Sequence, residues 1–100
     1  MNITVTTEGS KTTFSLDGKL TVQTSPDLSN AIDSIDANVC DLDFDLTDVS
    51  YISSAGLRVL VAAHKLAVSR GGVVRLLHPC PEVSEVFEMT GLSTVFTIEA

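Results

Sequence analysis

The sequence predicts an α/β fold, a mixed β-sheet with helices packed mainly on one face, and three consecutive stretches carry that prediction. Cys40, Leu42, Phe44 and Leu46 are apolar at every second position with Asp41, Asp43 and Asp45 between them, the period of a half-buried strand with one core face and one solvated acidic face. Leu57, Leu60, Val61, His64 and Ala67 or Val68 then recur at helical spacing. Val73-Val74-Arg75-Leu76-Leu77 follows as a compact run suited to a buried parallel strand. Strand, helix and strand in this order form one right-handed crossover, which places a helix against a parallel sheet.

The remaining elements fall into place around that unit. Ile3 to Thr7 and Thr12 to Leu16 are short runs rich in Thr and Val, separated by Glu8-Gly9-Ser10-Lys11, which reads as a β-hairpin. After the turn signal Asp17-Gly18, Leu20-Thr21-Val22 reads as a third short extended piece. Ser25 is the expected N-cap of a first helix with Pro26 at its first helical position. Leu28, Ala31, Ile32 and Ile35 mark its buried face, and it ends near Asp36. The second helix spans Ser54 to Arg70 with Ser53 or Ser54 as N-cap, and Arg70-Gly71-Gly72 supplies a last-turn cation and a glycine stop. A third helix carries Val83, Val86, Phe87 and Thr90 and is ended by a left-handed Gly91. Val95 to Ile98 is either an extended end or a short helical one.

Composition narrows the function classes. One hundred residues suit a single domain, 1–100, whose one core must take most of the apolar side chains. A formal charge of −7 with six Lys and Arg residues argues against nucleic acid, which needs a clustered basic surface, and against anionic membranes. No apolar run approaches the ~20 residues of a membrane span, and Met1-Asn2-Ile3-Thr4 lacks the features of a signal peptide, so the expected location is cytoplasmic. Cys40 and Cys80 are not closely spaced and read as reduced packing thiols rather than a disulfide or a metal site.

The functional signal lies at the handover from strand to helix. Ser53 and Ser54 stand where backbone N–H groups lack helical acceptors, at the positive end of the helix dipole, a position suited to a doubly charged phosphate. The run Asp45-Leu46-Thr47-Asp48-Val49-Ser50-Tyr51-Ile52-Ser53-Ser54-Ala55-Gly56-Leu57-Arg58 resembles the signature Asp-Leu-Ser-x-Val-x-Phe-Met-Asp-Ser-Ser-Gly-Leu of STAS-domain anti-sigma factor antagonists. Gly18-Lys19-Leu20 followed by Thr24-Ser25-Pro26-Asp27-Leu28 is similar to a second block of that family, so the resemblance covers essentially the whole chain.

That resemblance implies a STAS-like fold and a non-enzymatic switch. The unmodified protein would bind a GHKL-type serine kinase that doubles as an anti-sigma factor. The kinase, with its own ATP, would phosphorylate the switch serine and end the complex, and a PP2C-type phosphatase would reset it. The domain itself would need no cofactor. The family motif places the acceptor serine just before Gly-Leu, where this chain has Ala55. Members reading Ser-Ser-Ala-Gly-Leu-Arg point to the serine before Ala, so the role passes to Ser54, with Ser53 as second choice. Partner contacts implied are Thr21, Gln23 and Thr24 in one loop, with Ser53, Ser54, Gly56 and Arg58 at the helix start. Thr21 and Ser53 stand where the family often has Asp. That departure admits an alternative, a constitutive STAS adaptor, for example of a lipid-transport ABC system, with no modified serine. For Arg58 two roles are open, an exposed partner contact or a salt bridge to Asp48.

Other constellations point elsewhere and fail on spacing. Asp41-x-Asp43-x-Asp45 resembles the start of a calcium loop, but Leu46 replaces the turn glycine and Ile52 the closing glutamate. Ser54 and His64 would suit a nucleophile and base, yet ten residues along one helix separate them by about 15 Å. There is also no Gly-x-Ser-x-Gly elbow. His78-Pro79-Cys80-Pro81 lacks a second pair of metal ligands and reads as a loop with a helix-starting proline.

Overall fold

The computed structural model describes residues 1–100 and opens on the expected hairpin, β1 (Asn2–Glu8) against β2 (Lys11–Leu20). After it come α1 (Ser25–Asp33), β3 (Asp41–Ile52), α2 (Ser54–Ser69), β4 (Val74–Leu77), α3 (Pro81–Met89), a 3₁₀ turn at Leu92–Thr94 and β5 (Thr97–Glu99). The end of the chain is thus extended only from Thr97, with the short helical turn before it. The sheet order is β1-β2-β3-β4-β5, antiparallel between β1 and β2 and parallel elsewhere. Each parallel step advances by one strand in the same direction and carries one helix. Right-handed crossovers therefore put all three helices on one face.

The parallel register decides which side chains share that face. Thr12 lies beside Leu42 and Phe14 beside Phe44, while Leu42 and Phe44 lie beside Val74 and Leu76. Phe14, Leu42, Phe44, Val74 and Leu76 meet Leu28 and Ile32 of α1, Leu60, Ala63 and Ala67 of α2, and Val83 and Phe87 of α3 in one cluster of 19 buried apolar residues. Phe14 and Phe44 stack with ring centroids 5.0 Å apart, so the aromatic pair pins the β2–β3 register at its centre.

The structure corrects the sequence reading at several places. Leu20-Thr21-Val22 is not a separate strand. Lys11–Leu20 runs as one strand because Asp17-Gly18, with Gly18 at φ 125°, stays paired with Asp48 and Val49; the register irregularities fall on either side of it, with the extra residues in β3. The first helix starts at Ser25 itself, with Thr24 as N-cap, and stops at Asp33 instead of near Asp36. Cys40 precedes β3 and joins the hairpin through its amide, which donates to Ser10 O at 2.8 Å.

The largest correction concerns the acidic face of β3. Asp43 is 2% exposed although it lies on the sheet face that no helix covers. Arg75, its register neighbour on β4, donates through Nε to Asp43 Oδ1 at 2.9 Å and through a second nitrogen to Oδ2, while Lys11 Nζ lies 3.5 Å from Oδ2. The guanidinium also reaches Glu99 at 3.0 Å. A solvated acidic ladder was expected from the alternation. What forms is a carboxylate roofed by two cations from neighbouring strands.

Candidate functional site

Beyond Asp45 strand β3 outruns β4, whose pairing with it covers only Leu42 to Asp45. From there to Ile52 it is held on one side by β2 alone. Asp45 ends the β4 ladder locally: its Oδ1 accepts the Thr47 N–H at 3.0 Å and the Thr47 hydroxyl at 2.6 Å. The two Thr47 donors stabilise the ionised carboxylate and hold the Asp45 pKa below its ordinary value. The overhanging segment buries Val49 and Ile52 and exposes Asp48, Ser50 and Tyr51 before delivering the two serines.

Of the two candidate caps, the structure selects Ser53. Its extended backbone (φ −95°, ψ 172°) sets its Oγ to accept the Gly56 N–H at 3.3 Å, and its carbonyl takes the Leu57 N–H at 2.9 Å. Ser54 is consequently the first helical residue, exposed, with its hydroxyl not used in capping. Helix geometry leaves the amides of Ser54 and Ala55 without helical acceptors. The first turn of α2 has no acidic side chain, whereas α1 has Asp27 and α3 has Glu82 there. The positive end of the α2 dipole is left uncompensated by the chain itself.

Gly56 sets how closely this helix start meets the end of β2. A Cβ at Gly56 would lie 2.7 Å from Leu20 Cγ and 3.1 Å from Ile52 Cγ1, so any larger residue forces the helix away from the sheet. Ser53 N–H donates to Leu20 O at 2.8 Å and completes the junction. The consequence is that the turn after Leu20, residues 21–24, lies directly beside the α2 N-terminus. Sequence spacing placed these two groups thirty residues apart; tertiary packing brings them together.

Within that turn the threonines hold the backbone. Thr24 Oγ1 accepts from Thr21 N at 2.8 Å and donates to Lys19 O at 2.7 Å, while Thr21 Oγ1 accepts from Gln23 N at 3.2 Å. Ser25 is buried, with its hydroxyl donating to Thr21 O. The outward-facing residues of the turn are Gln23 and Val22, the latter 70% exposed. Val22, Ser25, Pro26, Asn30, Ala55 and Val59 line an open groove of about 330 Å³ between α1 and α2. Val22 and the groove were missed from sequence, where Val22 read as a strand residue; an exposed valine beside a turn was the available signal.

Arg58 is exposed and forms no ion pair with Asp48, since the three ion pairs of the molecule all involve Lys11 or Arg75. It follows Ser54 by four residues and so occupies the same helix face one turn on. His64 packs edge-on against Phe96 with centroids 5.8 Å apart, and Cys80 is the N-cap of α3, its thiol donating to Val49 O at 3.5 Å. Both cysteines are free thiols.

This arrangement, a mixed sheet with one helical layer and a serine-bearing helix start at its edge, is that of a small domain of the STAS class. The STAS domain family model matches residues 2–100, and the chain belongs to the STAS-domain family. The anti-sigma-B factor antagonist of Bacillus subtilis (strain 168) is 31% identical over 83 residues, which span 83% of this chain and 76% of that protein. The crystal structure of an anti-sigma factor antagonist from Mycobacterium paratuberculosis matches with a TM-score of 0.85 at 24% identity, over 98% of this chain and 84% of that one. The anti-sigma factor antagonist SpoIIAA matches in its unphosphorylated form with a TM-score of 0.80 at 21% identity, covering 99% and 88% of the two chains. Its phosphorylated form, from Bacillus, matches at 0.71 and 20%, covering 99% and 91%. The curated relatives are named as anti-sigma factor antagonists, not as enzymes.

Proposed function

We propose that this protein is a cytoplasmic anti-sigma factor antagonist whose binding is switched by phosphorylation of Ser54. The observation that carries the reading is the division of labour between the two serines. Ser53 holds the helix start through its cap, and Ser54 is exposed beside it with a hydroxyl free for transfer. The names of the relatives found by sequence and the existence of phosphorylated and unphosphorylated forms of SpoIIAA support it.

In this reading the unmodified face, made of Gln23, the groove beside Ala55 and the exposed Ser54 and Arg58, docks on a GHKL-type serine kinase that is also the anti-sigma factor. Thr21, Thr24, Ser53 and Gly56 contribute by shaping that face. The kinase transfers the γ-phosphoryl group of its ATP to Ser54 Oγ; the hydroxyl proton passes to a base on the kinase and ADP leaves. A PP2C-type phosphatase then adds water across the Ser54–phosphate ester, restoring the hydroxyl and releasing inorganic phosphate.

The phosphate is accommodated without unfolding the helix. The free amides of the first turn and the Arg58 guanidinium one turn on offset its charge locally. A close interface must still desolvate nearly two added charges, which is worth roughly 1–4 kcal/mol, or one to three powers of ten in affinity. Site-localised phosphopeptide mapping of protein from its native cells tests the assignment. Phosphate on Ser54 that is lost on phosphatase treatment supports it, and phosphate on Ser53 shifts the register by one. Unmodified protein under all growth and stress conditions removes its chemical basis and favours the constitutive adaptor.

A further inference from the structure

We infer that β1 is a self-pairing edge, through which two copies of this chain join antiparallel, β1 against β1, into one continuous sheet. The strand has seven residues, a regular register with β2 and no partner on its other side. All its residues except Ile3 are exposed, with Val5 at 48%. Natural edges are usually blunted by Lys, Pro, a bulge or brevity. This one has none of these. The opposite edge, β5, is only three residues long and engages His78 N–H through Glu99 O at 2.6 Å.

The hairpin fixes which backbone groups face outward. In the two-residue loop Gly9-Ser10 only Gly9 has a positive φ, 59°, the pattern of a type II′ turn, which makes Glu8 and Lys11 a hydrogen-bonded pair. Alternation then turns Thr6, Thr4 and Asn2 toward β2 and leaves the N–H and C=O groups of Ile3, Val5 and Thr7 pointing to the free side. The contact of Thr7 Oγ1 with Thr12 Oγ1 at 2.9 Å fits this assignment, because side chains approach more closely in the non-hydrogen-bonded pairs.

Those three residues are complementary to themselves. In a two-fold pairing centred on Val5, Val5 faces Val5 and Ile3 faces Thr7 of the second copy, each exchanging two bonds, for about six hydrogen bonds. Thr4 faces Thr6, and Glu8, the only charged residue of the strand, faces Asn2. In a chain of net charge −7 this is a stretch where two copies meet with no like charges opposed. The symmetry axis is normal to the sheet, so the parallel strands of the two copies run in opposite directions. Both α2 N-termini stay open to a partner, and the inference is independent of the serine switch. The small contact implies affinity at the weak end of specific interfaces.

Sedimentation equilibrium of the full chain from micromolar to millimolar concentration is expected to show a reversible monomer–dimer equilibrium. Val5→Lys, which opposes two like charges at the axis, should raise the dimer Kd by roughly tenfold or more with the circular dichroism unchanged. Thr4→Cys mixed with Thr6→Cys should give a disulfide between the two variants on mild oxidation, because that pair sits about 4.5 Å apart at Cα. Neither variant alone should cross-link at those sites with comparable yield. A monomer at every concentration with no mixed disulfide would overturn the inference, as would a dimer unaffected by Val5→Lys.

Discussion

Strand β3 has two halves with opposite fates. From Asp41 to Asp45 it is flanked by β2 and β4, and its central carboxylate is buried under Arg75 and Lys11. From Thr47 to Ile52 it loses β4, exposes Asp48, Ser50 and Tyr51, and ends in the serines of the proposed switch. The first half alternates polar and apolar residues, whereas the second, past two irregularities in its pairing with β2, buries only Val49 and Ile52. The difference comes from neighbours: a carboxylate between two paired strands is desolvated and must be matched by cations, whereas one on an overhang remains in water. Rigidity is thus built into the first half, and a surface able to meet a partner into the second.

The comparison is tested most severely at Arg75. Arg75→Met leaves Asp43 buried with only the partly exposed Lys11 nearby, and a clear loss of stability is expected. Urea denaturation should show it as a lower midpoint at unchanged slope. Partner affinity of the folded fraction should be unchanged, because the lesion lies in the structural half. Loss of partner binding in folded Arg75→Met would break the division.

At the junction of β2 and α2, Gly56→Val drives new methyl groups into Leu20 and Ile52, with an expected loss of about 2 kcal/mol. Unlike Arg75→Met, it should also weaken partner binding, since it separates the Thr21–Thr24 turn from the helix start. Titration calorimetry against the proposed kinase partner reads that second effect. Ser53→Ala removes the cap and should cost about 0.5–1 kcal/mol, at the low end because the bond to Gly56 N is 3.3 Å long.

A still smaller effect is expected at the point where the two halves meet. The Asp45 carboxyl is held below its ordinary pKa by both Thr47 donors. A depressed folded-state value stabilises the fold fully above the unfolded pKa, about 4, and that contribution drains away as pH falls through the folded value. Thr47→Val should therefore move the Asp45 carboxyl resonance titration upward in NMR and flatten the loss of stability below that pH. Ser54→Asp should leave stability within about 0.5 kcal/mol while reducing kinase affinity. A large stability change there would mean that Ser54 is structural.

Much of this was legible before any coordinates. The hairpin, the crossover, the Gly91 stop and the serine-capped second helix depend on local rules, and the run Asp45 to Arg58 carried the family resemblance. Which of the two serines caps the helix was decided only by structure, because either hydroxyl is chemically able to cap and only the backbone at Ser53 has the extended conformation that does so. Asp17-Gly18 reads as a turn in the sequence for a related reason. A glycine marks an unusual φ, but the pairing of both neighbours with β3 decides whether the strand stops there.

By itself, then, the sequence determined the main periodicities, the glycine stop at Gly91 and the acidic character of β3. The tertiary structure alone decided that Asp43 is buried and that Thr47 to Ile52 overhangs its neighbour, while the placing of residues 21–24 against the start of α2 was implied by the family resemblance and not by local pattern. Each of these depends on groups brought from distant positions, such as Arg75, thirty-two residues beyond Asp43. Alternation states which face a side chain takes, while the solvent and charge it meets there are set by strands and helices that local pattern does not place.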